Sequence, residues 1–101
     1  MTQVSRIPVH KEIENRMYDL FLTSITSLHQ QHAVGEFLED LLSPTERLML
    51  AKRLSVAFLL YKGYTHRDIS SLLKVGLGTV SKLSLDLQVK GNGYRRVIET
   101  I

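Results

Sequence analysis

Residues 68–82 read Asp68-Ile69-Ser70-Ser71-Leu72-Leu73-Lys74-Val75-Gly76-Leu77-Gly78-Thr79-Val80-Ser81-Lys82, and their pattern decides the fold. Ile69, Leu72 and Leu73 give the buried side of one short helix. Lys74-Val75-Gly76 is a turn, and a second helix runs from about Leu77 to Leu87, burying Leu77, Val80, Leu83 or Ser84, and Leu87 at helical spacing. Two short helices on a tight turn, the second rich in small and hydroxylated residues, make a helix-turn-helix candidate. In such a pair the first helix braces the second, whose N-terminal end enters the major groove. Inward positions must then be apolar, and outward ones small, polar or cationic. Ile69, Leu73, Val75 and Val80 are placed to lock the helices together, and Ser70 is small where they approach.

Working outward, Thr65-His66-Arg67-Asp68 opens the first helix of the pair with a threonine N-cap and an acidic third position. Upstream, Ser43-Pro44-Thr45-Glu46 is a capping box with proline at the first helical position, where its missing N–H costs nothing. The helix it starts continues through Leu48, Ala51, Leu54, Phe58 and Tyr61, broadened by Leu50, Ala57 and Leu60, until Gly63 offers a left-handed C′ residue. It reads as the central buried helix. Before it, Ile13, Met17, Leu20, Phe21, Ile25 and Leu28 stripe an amphipathic helix from Lys11 to about Gln31, and Val34 to Leu42 forms a short second one. After the pair, Lys90-Gly91-Asn92-Gly93 breaks the chain, and Tyr94 to Ile101 forms a last short helix with Val97, Ile98 and Ile101 on one side. The expectation is an all-α fold of about six helices.

With 101 residues the chain has room for one domain and one core. Its expected division is residues 1–42 mainly for dimerisation, 43–63 as the central helix, 64–88 as the helix-turn-helix and 91–101 as the C-terminal helix. A domain this small buries too little surface to be very stable alone, so the long striped first helix calls for a second copy of the chain. There is no cysteine, which excludes disulfides, thiolate metal sites and cysteine nucleophiles. Neither a signal-peptide pattern nor an apolar run long enough for a membrane span is present, giving the expectation of a cytoplasmic protein with no membrane partner.

The net charge of +3 is divided unevenly. Residues 1–42 hold three basic and six acidic side chains, residues 43–101 ten basic and four acidic. A basic second half points to a polyanionic partner, with double-stranded DNA foremost. Gly76, Gly78 and Thr79 present backbone N–H groups at a helix N-terminus with side chains small enough for close approach. Arg67, Lys74 and Lys82 add cations, and Leu77 and Ser81 belong to the same surface. No Asn, Gln or Arg lies between residues 76 and 87, so direct base reading is thin and spacing or DNA shape carries more of the discrimination. This poverty is also the feature that would mark a helical protein–protein adaptor instead.

The order and spacing of Ser43-Pro44-Thr45-Glu46-Arg47, Arg53, Gly63 and the helix pair resemble the Trp repressor superfamily. Gly91-Asn92-Gly93-Tyr94 followed by Val97 and Ile98 is similar to its YerC/YecD-type branch. The resemblance implies an intertwined homodimer presenting two helix-turn-helix units to DNA. It also implies phosphate contact at Arg67, and base-edge contact at Gly76, Leu77, Gly78 and Thr79. Lys74 stands where glycine is common in the family. The repressors hold tryptophan between two arginines beside a glycine. Arg53 matches the first arginine, but Lys82 replaces the second and Leu83 replaces the glycine. Lysine offers no planar guanidinium, and leucine projects toward the space an indole needs, so Arg53, Lys82 and Leu83 mark at most a pocket for some other effector.

Other features carry less. His29, His32 and Glu36 have i, i+3, i+7 spacing that suits metal ligands on one helix face, but solvated histidines at a polar helix end are the plainer reading, and no metal or other cofactor is expected. His66 suits pH sensing or DNA contact, or simply a surface position beside an N-cap. Tyr61, Tyr64 and Tyr94 suit packing better than base stacking. No nucleophile with a paired base and no close carboxylate pair emerges, so no catalytic residue is expected.

Overall fold

The computed structural model describes residues 8–101. Among them lie six helices and no strand: α1 (Lys11–Thr26), α2 (Gln31–Leu41), α3 (Pro44–Tyr61), α4 (His66–Leu73), α5 (Leu77–Val89) and α6 (Asn92–Thr100). The chain forms two compact units, Met1–Arg47 and Leu48–Ile101, with the boundary inside α3. None of the six helices is long and apolar enough to cross a membrane.

In the first unit α1 ends at Thr26, earlier than its apolar stripe foretells. Hydroxyls near its end turn back on the backbone: Ser24 donates to the Leu20 carbonyl, Thr26 to Leu22, and Ser27 to Ser24. Such bonds compete with the helical ladder and favour its termination. Gln30 is then extended and α2 begins at Gln31, three residues before Val34. His29 therefore precedes α2, and the three candidate ligands do not share a helix face. His32 Nε2 lies 3.5 Å from Glu36 Oε1 in an exposed pair.

The capping box forms as read. Ser43 N–H donates to Glu46 Oε1 at 2.8 Å and Glu46 N–H to Ser43 Oγ at 3.1 Å, while Arg47 Nη1 donates to the Leu42 carbonyl at 2.9 Å. The Ser43 amide holds the Glu46 carboxyl below its ordinary value of 4.5, with the Ser43 hydroxyl adding less. Because the folded value is the depressed one, this contribution to stability is complete above pH 4.5 and is lost as pH falls through the folded value. Between neutral and strongly acidic pH, thermal melts are expected to show a larger loss of Tm for the wild type than for Glu46→Gln. Equal acid sensitivity in the two proteins would contradict the assignment.

The core of the second unit is small. Val56, Ile69 and Val80 are buried together, with Leu59, Leu60, Leu73, Val75 and Leu83 packed partly buried against them. It therefore joins α3, α4 and α5. The buried side of α3 is Val56 and Ala57 with Leu59 and Leu60, whereas Leu48, Leu50, Leu54 and Tyr61 are exposed. This corrects the reading of α3 as buried along the Leu48-to-Tyr61 stripe. Its apolar residues spread over two overlapping stripes, and contact with α4 and α5 selects the one through Val56.

Gly91, with φ 144°, opens α6. A Cβ there would fall 3.0 Å from the Leu87 carbonyl oxygen and 3.2 Å from Leu87 Cα, backbone atoms that cannot swing aside. Gly91→Ala is therefore expected to destabilise the protein by roughly 1–3 kcal/mol from the backbone conformation alone, more with the contact. Gly35, inside α2 with nothing within 4 Å of an added Cβ, is the control. There alanine is expected to be neutral or to stabilise by roughly 0.5–1 kcal/mol. Denaturant titration reads both, and equal effects at the two glycines would refute the distinction.

Candidate nucleic-acid interface

The first helix of the pair starts as its sequence requires. Thr65 Oγ1 accepts from the Asp68 amide at 3.1 Å, closing the N-terminus of α4. At the other end Lys74 takes a left-handed conformation, φ 57° and ψ 47°, and its N–H donates to the Ser70 carbonyl. The Val75 amide donates to that carbonyl as well, at 3.2 Å, and Ser70 Oγ donates to the Val75 carbonyl. Ser70 thus ties the turn together by hydrogen bonds in addition to being small. The turn keeps the left-handed shape that glycine would allow freely.

Ile69 from α4 and Val80 from α5 are each fully buried, fixing the second helix against the first. Gly76, Leu77, Gly78, Thr79, Ser81 and Lys82 are all exposed, as are Arg67 and Lys74. Leu72 and Leu77 were expected to be buried but are 63% and 46% exposed; Leu77 occupies the first turn of α5, ahead of the point where Val80 meets the core. Gly76 is the N-cap and uses no side-chain bond, so the amides of Leu77, Gly78 and Thr79 lack helical acceptors. A Cβ at Gly78 would meet nothing within 4 Å. The fold does not demand its smallness, which leaves backbone open to an incoming partner.

His66 stands at the start of α4 with Nδ1 3.4 Å from Ser81 Oγ, linking the exposed faces of the two helices. The expected surface position beside an N-cap is where His66 lies, but nothing in residue spacing reveals its contact across the turn. Arg53, Lys82 and Leu83 line one open depression of about 1330 Å³, together with Met49, Val56 and Tyr94. Leu83 also packs on the core, so its side chain occupies the floor where a glycine would leave space.

The family model described as Trp repressor protein matches residues 16–101, nearly the whole chain. The chain belongs to the Trp repressor family. This is a family of helix-turn-helix DNA-binding transcription regulators, and the matched span contains α2 to α6 entire and most of α1. No curated protein and no solved structure matches the chain. Residues 67–82, with α4, its turn and the start of α5, lie inside the matched span.

Proposed function

We propose that this chain is a homodimeric, sequence-preferring, double-stranded DNA-binding transcriptional regulator, repressor-like, unresponsive to tryptophan and cytoplasmic. The observation that carries the reading is the α4–α5 pair. Its inner residues Ile69 and Val80 are fully buried, while its outer surface holds Gly76, Leu77, Gly78, Thr79, Ser81 and three cations. In this reading the amides of α5 and the side chains of Arg67, Lys74 and Lys82 contact phosphates, and Gly76 to Thr79 approach base edges. Ser81 belongs to the same DNA-binding surface.

Dimerisation is supported by α1, which has no buried residue. Met17 is 58% and Leu20 69% exposed, an apolar stripe of the kind a second chain covers. The 101 residues then work as one domain, residues 1–42 chiefly making the dimer, and the Gly91-to-Ile98 segment supports the YerC/YecD-type branch. Insensitivity to tryptophan is supported by Lys82 and Leu83. The depression they share with Arg53 suits a small effector other than tryptophan. A helical protein–protein adaptor is the second reading, favoured by the exposed Leu72, Leu77 and Leu85 and by the lack of base-reading side chains on α5.

Titration with labelled duplex DNA between about 50 and 200 mM salt tests the proposal. Affinity that falls with salt, at two chains per bound site, is expected. No affinity at the lowest salt would overturn it, and capture of a protein partner without DNA enrichment would turn the reading to the adaptor.

A further inference from the structure

Among the described residues Lys74 is the sole non-glycine with positive φ. The conformation is imposed, because the Lys74 and Val75 amides and the Ser70 hydroxyl close the turn around it. A left-handed backbone is costly for any residue with a Cβ, and glycine would remove that cost. No hydrogen bond or ion pair of the side chain among the described residues offsets it. The Lys74 side chain is exposed. Strain of this kind persists where surrounding contacts fix it, and it clusters at functional sites. What lysine adds at this position is a mobile ammonium on the turn that leads into the open amides of α5.

We propose that Lys74 is kept in the left-handed turn as a phosphate contact on bound duplex DNA, at the expense of the stability of the free protein. This rests on the DNA-binding reading and deepens it. The turn supplies a cation where a glycine turn supplies none, so the helix pair gains electrostatic grip between its two helices. Charge and strain are separable by substitution. Lys74→Gln keeps the left-handed cost and loses the charge. Lys74→Gly loses both, and Lys74→Arg keeps both.

Each variant of the full chain is measured twice, by thermal melting without DNA and by titration of a fixed random-sequence duplex across salt. Lys74→Gln is expected to lower duplex affinity roughly three- to tenfold per chain, with the salt slope shallower by about 0.9 per chain, and to leave Tm unchanged. Lys74→Gly is expected to match that loss of affinity while raising Tm by roughly 2–6 °C, strain relief being partly offset by greater freedom of the unfolded chain. Lys74→Arg is expected to match the wild type in both. Wild-type affinity and salt slope in Lys74→Gln would overturn the phosphate contact while leaving the DNA-binding reading intact. An unchanged or lower Tm in Lys74→Gly would overturn the trade of stability for affinity. A wild type without duplex affinity would remove the DNA-binding reading and this inference with it.

Discussion

Lys82→Glu is expected to weaken duplex binding by roughly tenfold per chain, on the order of a hundredfold where two chains grip one duplex. Lys82 is exposed on the same helix as Thr79 and Ser81, three residues beyond the last open amide of α5. Reversal removes an attraction to phosphate and adds a repulsion, while lysine and glutamate have similar helix propensity, so the fold is spared. Removing one phosphate contact per chain also makes the dependence of log affinity on log salt shallower by about 0.9 per chain. Thr79→Asp tests the same surface differently. Thr79 is the third residue of α5, where a carboxylate stabilises a helix by facing its unpaired amides. That variant should melt no lower than the wild type and still lose duplex affinity. Binding and folding then move in opposite directions, an outcome that damage to the fold cannot imitate. Wild-type affinity in both variants would remove this surface from DNA.

The parts of the fold that were legible in sequence are those written in local chemistry. The Ser43–Glu46 capping box and the Thr65 cap form between residues three apart, so residue type and spacing determine them. Ile69, Leu73, Val75 and Val80 were likewise readable, because a helix-turn-helix leaves few inward positions and all four belong to or pack on the buried cluster. Val56 was missed for a physical reason. A helix apolar around much of its circumference does not declare which stripe another element will cover, and α3 buries the side that α4 and α5 reach. The end of α1 was misjudged because hydrophobic periodicity continues through Ile25 and Leu28, whereas the hydroxyls of Ser24, Thr26 and Ser27 end the helix through backbone bonds that leave no mark on the stripe. At the interface, the glycines and cations were evident from residue type. The His66–Ser81 contact joins residues fifteen apart, and only the folded turn brings them together.

Ile69→Ala is expected to destabilise the protein by roughly 2–5 kcal/mol, the range for emptying a buried aliphatic site. The upper half of that range applies, because Ile69 and Val80 are both 0% exposed and only Val56 completes the buried cluster. With so few fully buried side chains, neighbours cannot close the gap without parting α4 from α5 or either from α3. A small domain has about 5–15 kcal/mol in total, so the substitution removes a large share and should lower Tm by at least about 10 °C. Ile69→Val, which keeps the branched body of the side chain, should cost about 0.5–1.5 kcal/mol. Leu72 provides the comparison on the same helix: 63% exposed, it should tolerate alanine within about 0.5 kcal/mol. Duplex affinity should follow the same order, since Ile69 touches no outer surface and acts only by holding α5 at its angle to α4. Denaturant titration of the three variants decides the matter. A cost below about 1 kcal/mol for Ile69→Ala would mean that the buried trio does not hold the helix pair together, and the exposed face from Arg67 to Lys82 would then lose its physical support.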